Sequence, residues 1–148
     1  MNKLLELTEE ELELVINNTA DKLKLSKGIV EKDFWVCVIL KYLFSSFKYK
    51  DSIVFKGGTS LSKVYQLIER FSKDIDLSLD WTLLGYDKTE PYEDRSSTKQ
   101  LKFNQKLNSE TEIFLQEQWL PILRNDFNML LKNRIFNFYI DEFDKQTI

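Results

Sequence analysis

Histidine is absent from the 148 residues. That absence excludes Ser-His-Asp and Cys-His nucleophile systems and His-ligated zinc. Carboxylates must carry any acid–base or metal chemistry. There is one cysteine, Cys37, so no disulfide closes within the chain. A lone cysteine in an apolar run suits a reducing cytoplasm better than a disulfide-stapled secreted fold, and its plain role is that of a small buried residue. No apolar run reaches the ~18 residues of a membrane span, and the Glu-rich start is unlike a signal peptide. The sequence therefore points to a soluble, cytoplasmic protein without a membrane partner. Positive charge is also short: the net charge is −3 and the pI near 5.1. No global basic field recommends nucleic acid, which leaves local lysine clusters to hold any polyanion.

What is present is enough for a core, since 43% of residues are hydrophobic and 14% aromatic. Thr8 with Glu11 reads as a capping box, followed by Leu12, Val15, Ile16, Ala20 and Leu23 at helical spacing. Ser26 caps a second predicted helix running to about Phe44, apolar on nearly every side from Phe34 to Leu40 and therefore expected to be buried. Ser52 to Lys56 reads as a short strand, stopped by Gly57-Gly58 and followed by a helix carrying Leu61, Val64, Tyr65 and Ile68. From Asp74 to Asp80 the residues alternate, with Ile75, Leu77 and Leu79 on one face and Asp74, Asp76, Ser78 and Asp80 on the other. A polar loop over 84–98 precedes two helices divided near Pro121, and Ile135 to Ile140 reads as a further strand.

The chemistry lies in the middle of the chain. Asp74 and Asp76 sit two apart on a strand, so their carboxyls leave the same face from origins about 6–7 Å apart. Bare, they repel by roughly 0.6 to 2.5 kcal/mol, a penalty removed by Mg²⁺ or Mn²⁺, which take oxygen ligands. Alternating aspartates are equally what a solvated sheet face shows. The Gly57-Gly58 turn, opening a helix at Thr59 and Ser60, offers backbone N–H groups and hydroxyls to an anion; a plain strand-to-helix turn has the same pattern. It is not a Walker loop, because the two glycines adjoin. Lys63, one turn beyond Ser60, reaches toward the same phosphates or toward solvent. Arg70 and Ser72, just before the acidic strand, bind phosphate or cap the connection.

Together, FKGGTSLSK (Phe55 to Lys63) and RFSKDIDL (Arg70 to Leu77) resemble the polymerase-beta-like nucleotidyltransferase superfamily and, more closely, the AbiEii/AbiGii toxin family. EKDFW (Glu31 to Trp35) fits the helix that precedes the glycine turn there. The resemblance covers about Lys27 to Trp81. It implies an α/β (α+β) fold, a nucleotidyltransferase-like mixed β-sheet flanked by helices. It also implies a toxin of a type IV toxin–antitoxin or phage-defence pair, with a cognate antitoxin as partner. The implied reaction is Mg-dependent transfer of a nucleotide from an NTP to an acceptor, in several members tRNA, with pyrophosphate released. Gly57, Gly58, Thr59 and Ser60 would then hold the triphosphate, with Arg70 and Ser72 accessory. Asp74 and Asp76 would be catalytic metal ligands and Lys63 a catalytic cation.

The same resemblance implies a longer chain, with a third carboxylate on a later strand. Asp80 lies about 13 Å along the strand from Asp76, too far to share the metals. Asp141, Glu142 and Asp144 offer a third ligand or an exposed strand end. We therefore expect one domain over 1–148, truncated at its C-terminus, with N-terminal helices over 1–50, a nucleotide and metal core over 51–81, and helices and a final strand over 98–148. A catalytically incomplete nucleotide- or partner-binding protein is the alternative reading, and a plain interaction module is a third.

Overall fold

The computed structural model describes residues 2–65, 74–132 and 134–148. The chain divides into two compact units, Met1–Asp80 and Trp81–Ile148. Arg70 and Ser72 lie outside the described residues.

The first unit opens with a single helical turn, α1 (Asn2–Leu5), and then α2 (Glu9–Leu23). The capping box at Thr8 and Glu11 is formed on both sides, so two backbone N–H groups of the first turn are satisfied by side chains. Leu12, Ile16 and Ala20 follow at helical spacing and are buried. With Val30 they make a small core, against which Leu7, Leu25, Phe34 and Trp35 pack. Lys24 closes α2 in the left-handed conformation, its N–H bonding back to Ala20 and Asp21.

Helix α3 (Lys27–Ser45) follows Ser26. Its apolar stretch from Phe34 to Leu40 has no exposed residue: Val36 and Val38 are buried and the rest are half-buried. Phe47, 1% exposed, packs on Tyr42 and Tyr49 where the chain turns, and Phe44 meets Phe55 across the next element. These rings anchor the end of α3 to strand β1 (Ile53–Lys56).

Strand β1 runs into α4 (Gly57–Lys63), and the acidic segment returns as β2 (Asp76–Leu79). The strands are antiparallel, pairing Ile53 with Leu79, Phe55 with Leu77 and Lys56 with Asp76. The expected alternation is visible in part, since Asp74, Asp76 and Asp80 are exposed while Ile75, Leu77 and Leu79 are half-buried; Ser78 is half-buried as well. Among the described residues the protein is mostly helical with this one two-stranded sheet. The expected mixed sheet is smaller and purely antiparallel.

In the second unit, short 3₁₀ turns at Trp81–Leu84 and Glu90–Tyr92 interrupt the polar loop. Helix α5 (Ser97–Phe114), a π-helical turn (Leu115–Trp119) and α6 (Leu120–Leu130) follow without a break. Pro121 falls at the start of α6. It lacks the N–H that an α-helix would give to residue 117, and the wider π turn lies just where that bond is missing. Trp119, Leu120, Leu123, Phe127 and Leu131 form the buried face of this region.

The strand expected over Ile135 to Ile140 does not form. The segment still alternates, with Ile135, Asn137 and Tyr139 exposed and Phe136, Phe138 and Ile140 half-buried. It packs on α6 rather than on a strand: Phe127 lies 5.9 Å from Phe136 and 5.0 Å from Phe138, ring centre to ring centre. Arg124 takes the Phe138 carbonyl with Nε at 3.0 Å and Nη2 at 2.6 Å. A side-chain guanidinium thus occupies an acceptor that a neighbouring strand would use.

Candidate active site

The strand register decides how the turn and the acids meet. Because Lys56 pairs with Asp76, the residue after Lys56 lies beside the Asp76 side chain. That residue is Gly57, with φ at +72°. A methyl group there would stand 1.9 Å from Oδ2 of Asp76, 2.7 Å from its Cγ and 2.9 Å from its Cβ. Glycine is required twice at this point, once for the left-handed backbone and once for the close approach of the carboxylate.

The next two residues fasten the turn. Thr59 and Ser60 are buried, at 1% and 5% exposure. The Thr59 hydroxyl donates to the backbone carbonyl of Asp74, joining α4 to the chain that leads into β2. The Ser60 hydroxyl donates to the Gly57 carbonyl at 2.9 Å. Both hydroxyl protons are thus spent within the protein, while Asp74 and Asp76 keep exposed side chains.

Lys63 ends α4 and turns toward α3. Its ammonium donates to Asp33 Oδ1 at 2.5 Å and to Cys37 Sγ at 3.4 Å. The ion pair is only partly open to water, with the two side chains 20% and 30% exposed. Burial pulls the Lys63 pKa down, but the hydrogen bond to Asp33 and the electrostatic pull of Cys37 and Asp33 outweigh it, and the net shift is upward. Lys63 is thus held as a cation, and Cys37 is half-buried beside it.

Asp33, inside EKDFW, joins the site through Lys63 and is not among the residues the motifs point to. A signal was present: Asp33 and Cys37 are four apart on one face of α3, where the surrounding residues are apolar. A carboxylate drawn toward such a surface calls for a counter-charge.

The donor types fit a hard divalent cation, because Asp74 and Asp76 carry exposed carboxylates and that of Asp76 lies at a glycine that leaves room for it. Among the described residues no group of three or more His, Cys, Asp or Glu could hold a metal ion. Asp141 and Asp144, expected as candidates for a third ligand, are engaged locally. Asp141 accepts from the N–H groups of Phe143 and Asp144, each at 2.8 Å, and these bonds hold its pKa below the ordinary value. Asp144 accepts from the Gln146 N–H and the Thr147 hydroxyl. Both close a turn on itself.

The family model for the nucleotidyl transferase AbiEii toxin of type IV toxin–antitoxin systems matches residues 38–138. The match spans more than half of the chain. This protein belongs to the AbiEii family. Its matched segment contains the Gly57 turn, α4, Lys63, Asp74 and Asp76, whereas Asp33 lies just before it. No significant match was found among curated proteins or solved structures. No helix among the described residues is long and apolar enough to cross a membrane.

Proposed function

We propose that this member of the AbiEii family is a Mg²⁺-dependent nucleotidyltransferase that moves a nucleotide from an NTP to an RNA acceptor, the end of tRNA being the favoured class. It would act as the toxin of a pair, restrained by an antitoxin protein. The observation that carries the reading is the Asp76 carboxylate lying against Gly57, at the junction of the glycine turn and the acidic strand.

In this reading the triphosphate lies against the Gly57-Gly58 turn, where the absence of side chains lets phosphate approach the backbone. Thr59 fixes the turn to the Asp74 carbonyl, and the Ser60 hydroxyl exchanges the Gly57 carbonyl for a phosphate oxygen. Lys63 supplies a fixed positive charge one helical turn further on, and Arg70 and Ser72 keep the accessory phosphate role that the resemblance implies. Asp74 and Asp76 would hold Mg²⁺ or Mn²⁺, which when bound supplies neutralisation of the phosphate charge. An acceptor hydroxyl attacks the α-phosphorus and pyrophosphate leaves. Such a transfer depends on positioning and charge, so the lack of histidine does not bar it.

The test is incorporation of labelled nucleotide into RNA by the purified chain, with Mg²⁺ and with chelator. Wild type should label RNA only with the metal. Asp76→Asn should lower incorporation by a factor of about 10² or more, as loss of a transition-state charge stabiliser does. Unchanged incorporation by Asp76→Asn would remove Asp76 from the site. Mg²⁺-dependent NTP binding without any labelling would instead mark a nucleotide-binding protein that does not turn over.

A further inference from the structure

A part-buried polar cluster links helix α4 to helix α3. Lys63 comes from the far end of the seven-residue α4, and Asp33 and Cys37 come from adjacent turns of α3. An ammonium has three N–H donors. Asp33 takes one and Cys37 a second, and the third has no partner among the described residues. A flexible four-carbon side chain held at two points loses most of its freedom before any ligand arrives. The entropy cost of ordering it on the ligand falls accordingly.

We infer that Asp33 is a positioning residue for nucleotide binding: from α3 it holds the Lys63 ammonium so that its remaining N–H is directed to a phosphate of the NTP. This rests on the nucleotidyl-transfer reading of the same site. Asp33 does not touch the nucleotide and acts through Lys63. Its role also gives EKDFW a physical task, because the motif then belongs to the phosphate site although it precedes the glycine turn by more than twenty residues.

The pH dependence is part of the signature. The titratable groups that face Lys63 are Asp33 and Cys37, both on α3. Removing the Asp33 charge leaves burial, which favours the neutral amine, less opposed. Two measurements on the whole chain separate positioning from mere folding. The first is acylation of Lys63 by a neutral amine-reactive reagent, resolved by mass spectrometry across pH, with and without ATP and Mg²⁺. The second is the kcat and KM of nucleotide incorporation for Asp33→Asn, Asp33→Glu, Lys63→Gln and the double variant Asp33→Asn with Lys63→Gln, each checked for a native thermal transition.

In Asp33→Asn, Lys63 should acylate about tenfold faster near pH 8.5, because a larger share of it is then the neutral amine. Its protection by Mg·ATP should weaken. KM for NTP should rise so that kcat/KM falls about 10- to 100-fold. Asp33→Glu should recover part of this, and in the Lys63→Gln background the Asp33→Asn change should cost little more. Unaltered acylation in Asp33→Asn overturns the inference, and so do losses that multiply in the double variant. Should wild type transfer no nucleotide while Mg·ATP still protects Lys63 in an Asp33-dependent manner, the transfer reading fails and the positioning role stands. Absence of any Mg·ATP protection in wild type overturns the positioning role.

Discussion

The Asp76 carboxylate fills the space that a side chain on Gly57 would need, with Oδ2 only 1.9 Å from the position of an added Cβ. The relationship joins backbone geometry to chemistry, because the residue that permits the turn also permits the acid to lie over it. Gly57→Ala would have to place Cβ in the left-handed region and push Asp76 aside. Its stability should drop by about 1–3 kcal/mol in urea unfolding, and Mg²⁺-dependent nucleotide incorporation should fall with the displaced carboxylate. Gly28→Ala is the control of opposite sign. It lies within helix α3 with nothing within 4 Å of an added Cβ, so it should gain up to about 1 kcal/mol. A Gly57→Ala protein as stable and active as wild type would show that Asp76 is not confined by the turn.

Thr59 makes the second link between turn and acid, and its contribution should be separable from packing. Thr59→Val keeps shape and burial but removes the hydroxyl that donates to the Asp74 carbonyl. Loss of a part-buried hydrogen bond of this kind costs about 0.5–1.5 kcal/mol. The thermal midpoint of the first unit should fall by several degrees, and metal-dependent activity should fall further than Tm, since Asp74 loses its backbone restraint. Wild-type stability in Thr59→Val would mean that this hydrogen bond is matched by water.

How much of this was legible beforehand depends on the range of the interaction. The capping box at Thr8 and Glu11 and the break at Gly57-Gly58 are local, so residue order alone specifies them. The Asp74 to Asp80 alternation located the acidic face, although regular pairing covers only Asp76–Leu79. The Lys63–Asp33 pair was not legible: helical periodicity says which face a residue occupies, not which distant helix that face meets. The IFNFYI segment failed for a related reason. Its composition favours a strand, but strand formation needs a partner edge, and Phe127 and Arg124 on α6 hold it instead. Arg70 and Ser72, proposed at the phosphates, fall outside the described residues.

That substitution of helix packing for strand pairing makes Phe127 the key residue of the second unit. It is 2% exposed and meets both Phe136 and Phe138. Phe127→Ala should cost about 3–5 kcal/mol and should release 134–140, read as faster amide exchange there. Phe143→Ala removes a ring that is 97% exposed and should change stability by less than about 0.5 kcal/mol. Equal effects of the two substitutions would contradict the packing described.

The second unit should also weaken in alkali through Tyr86. Its ring is buried beside Phe103, and its hydroxyl donates to Glu110. Burial, followed by the hydrogen bond to Glu110 and the negative charges of Glu110 and Glu90, raises its pKa from 10.0 to about 12. Between those values the unfolded chain releases the phenolic proton while the folded chain keeps it. Raising pH therefore favours unfolding: this contribution is fully present below pH 10 and is lost progressively as pH climbs to about 12. Tyr86→Phe has no proton to release, so its stability should fall less steeply over that window, although at neutral pH it should be less stable by about 1 kcal/mol for the missing hydrogen bond. Lys63, whose pKa is also raised, titrates in the same direction but is common to both proteins, and the difference between their unfolding curves isolates Tyr86. Parallel pH profiles for wild type and Tyr86→Phe would show that the phenol does not titrate differently on folding.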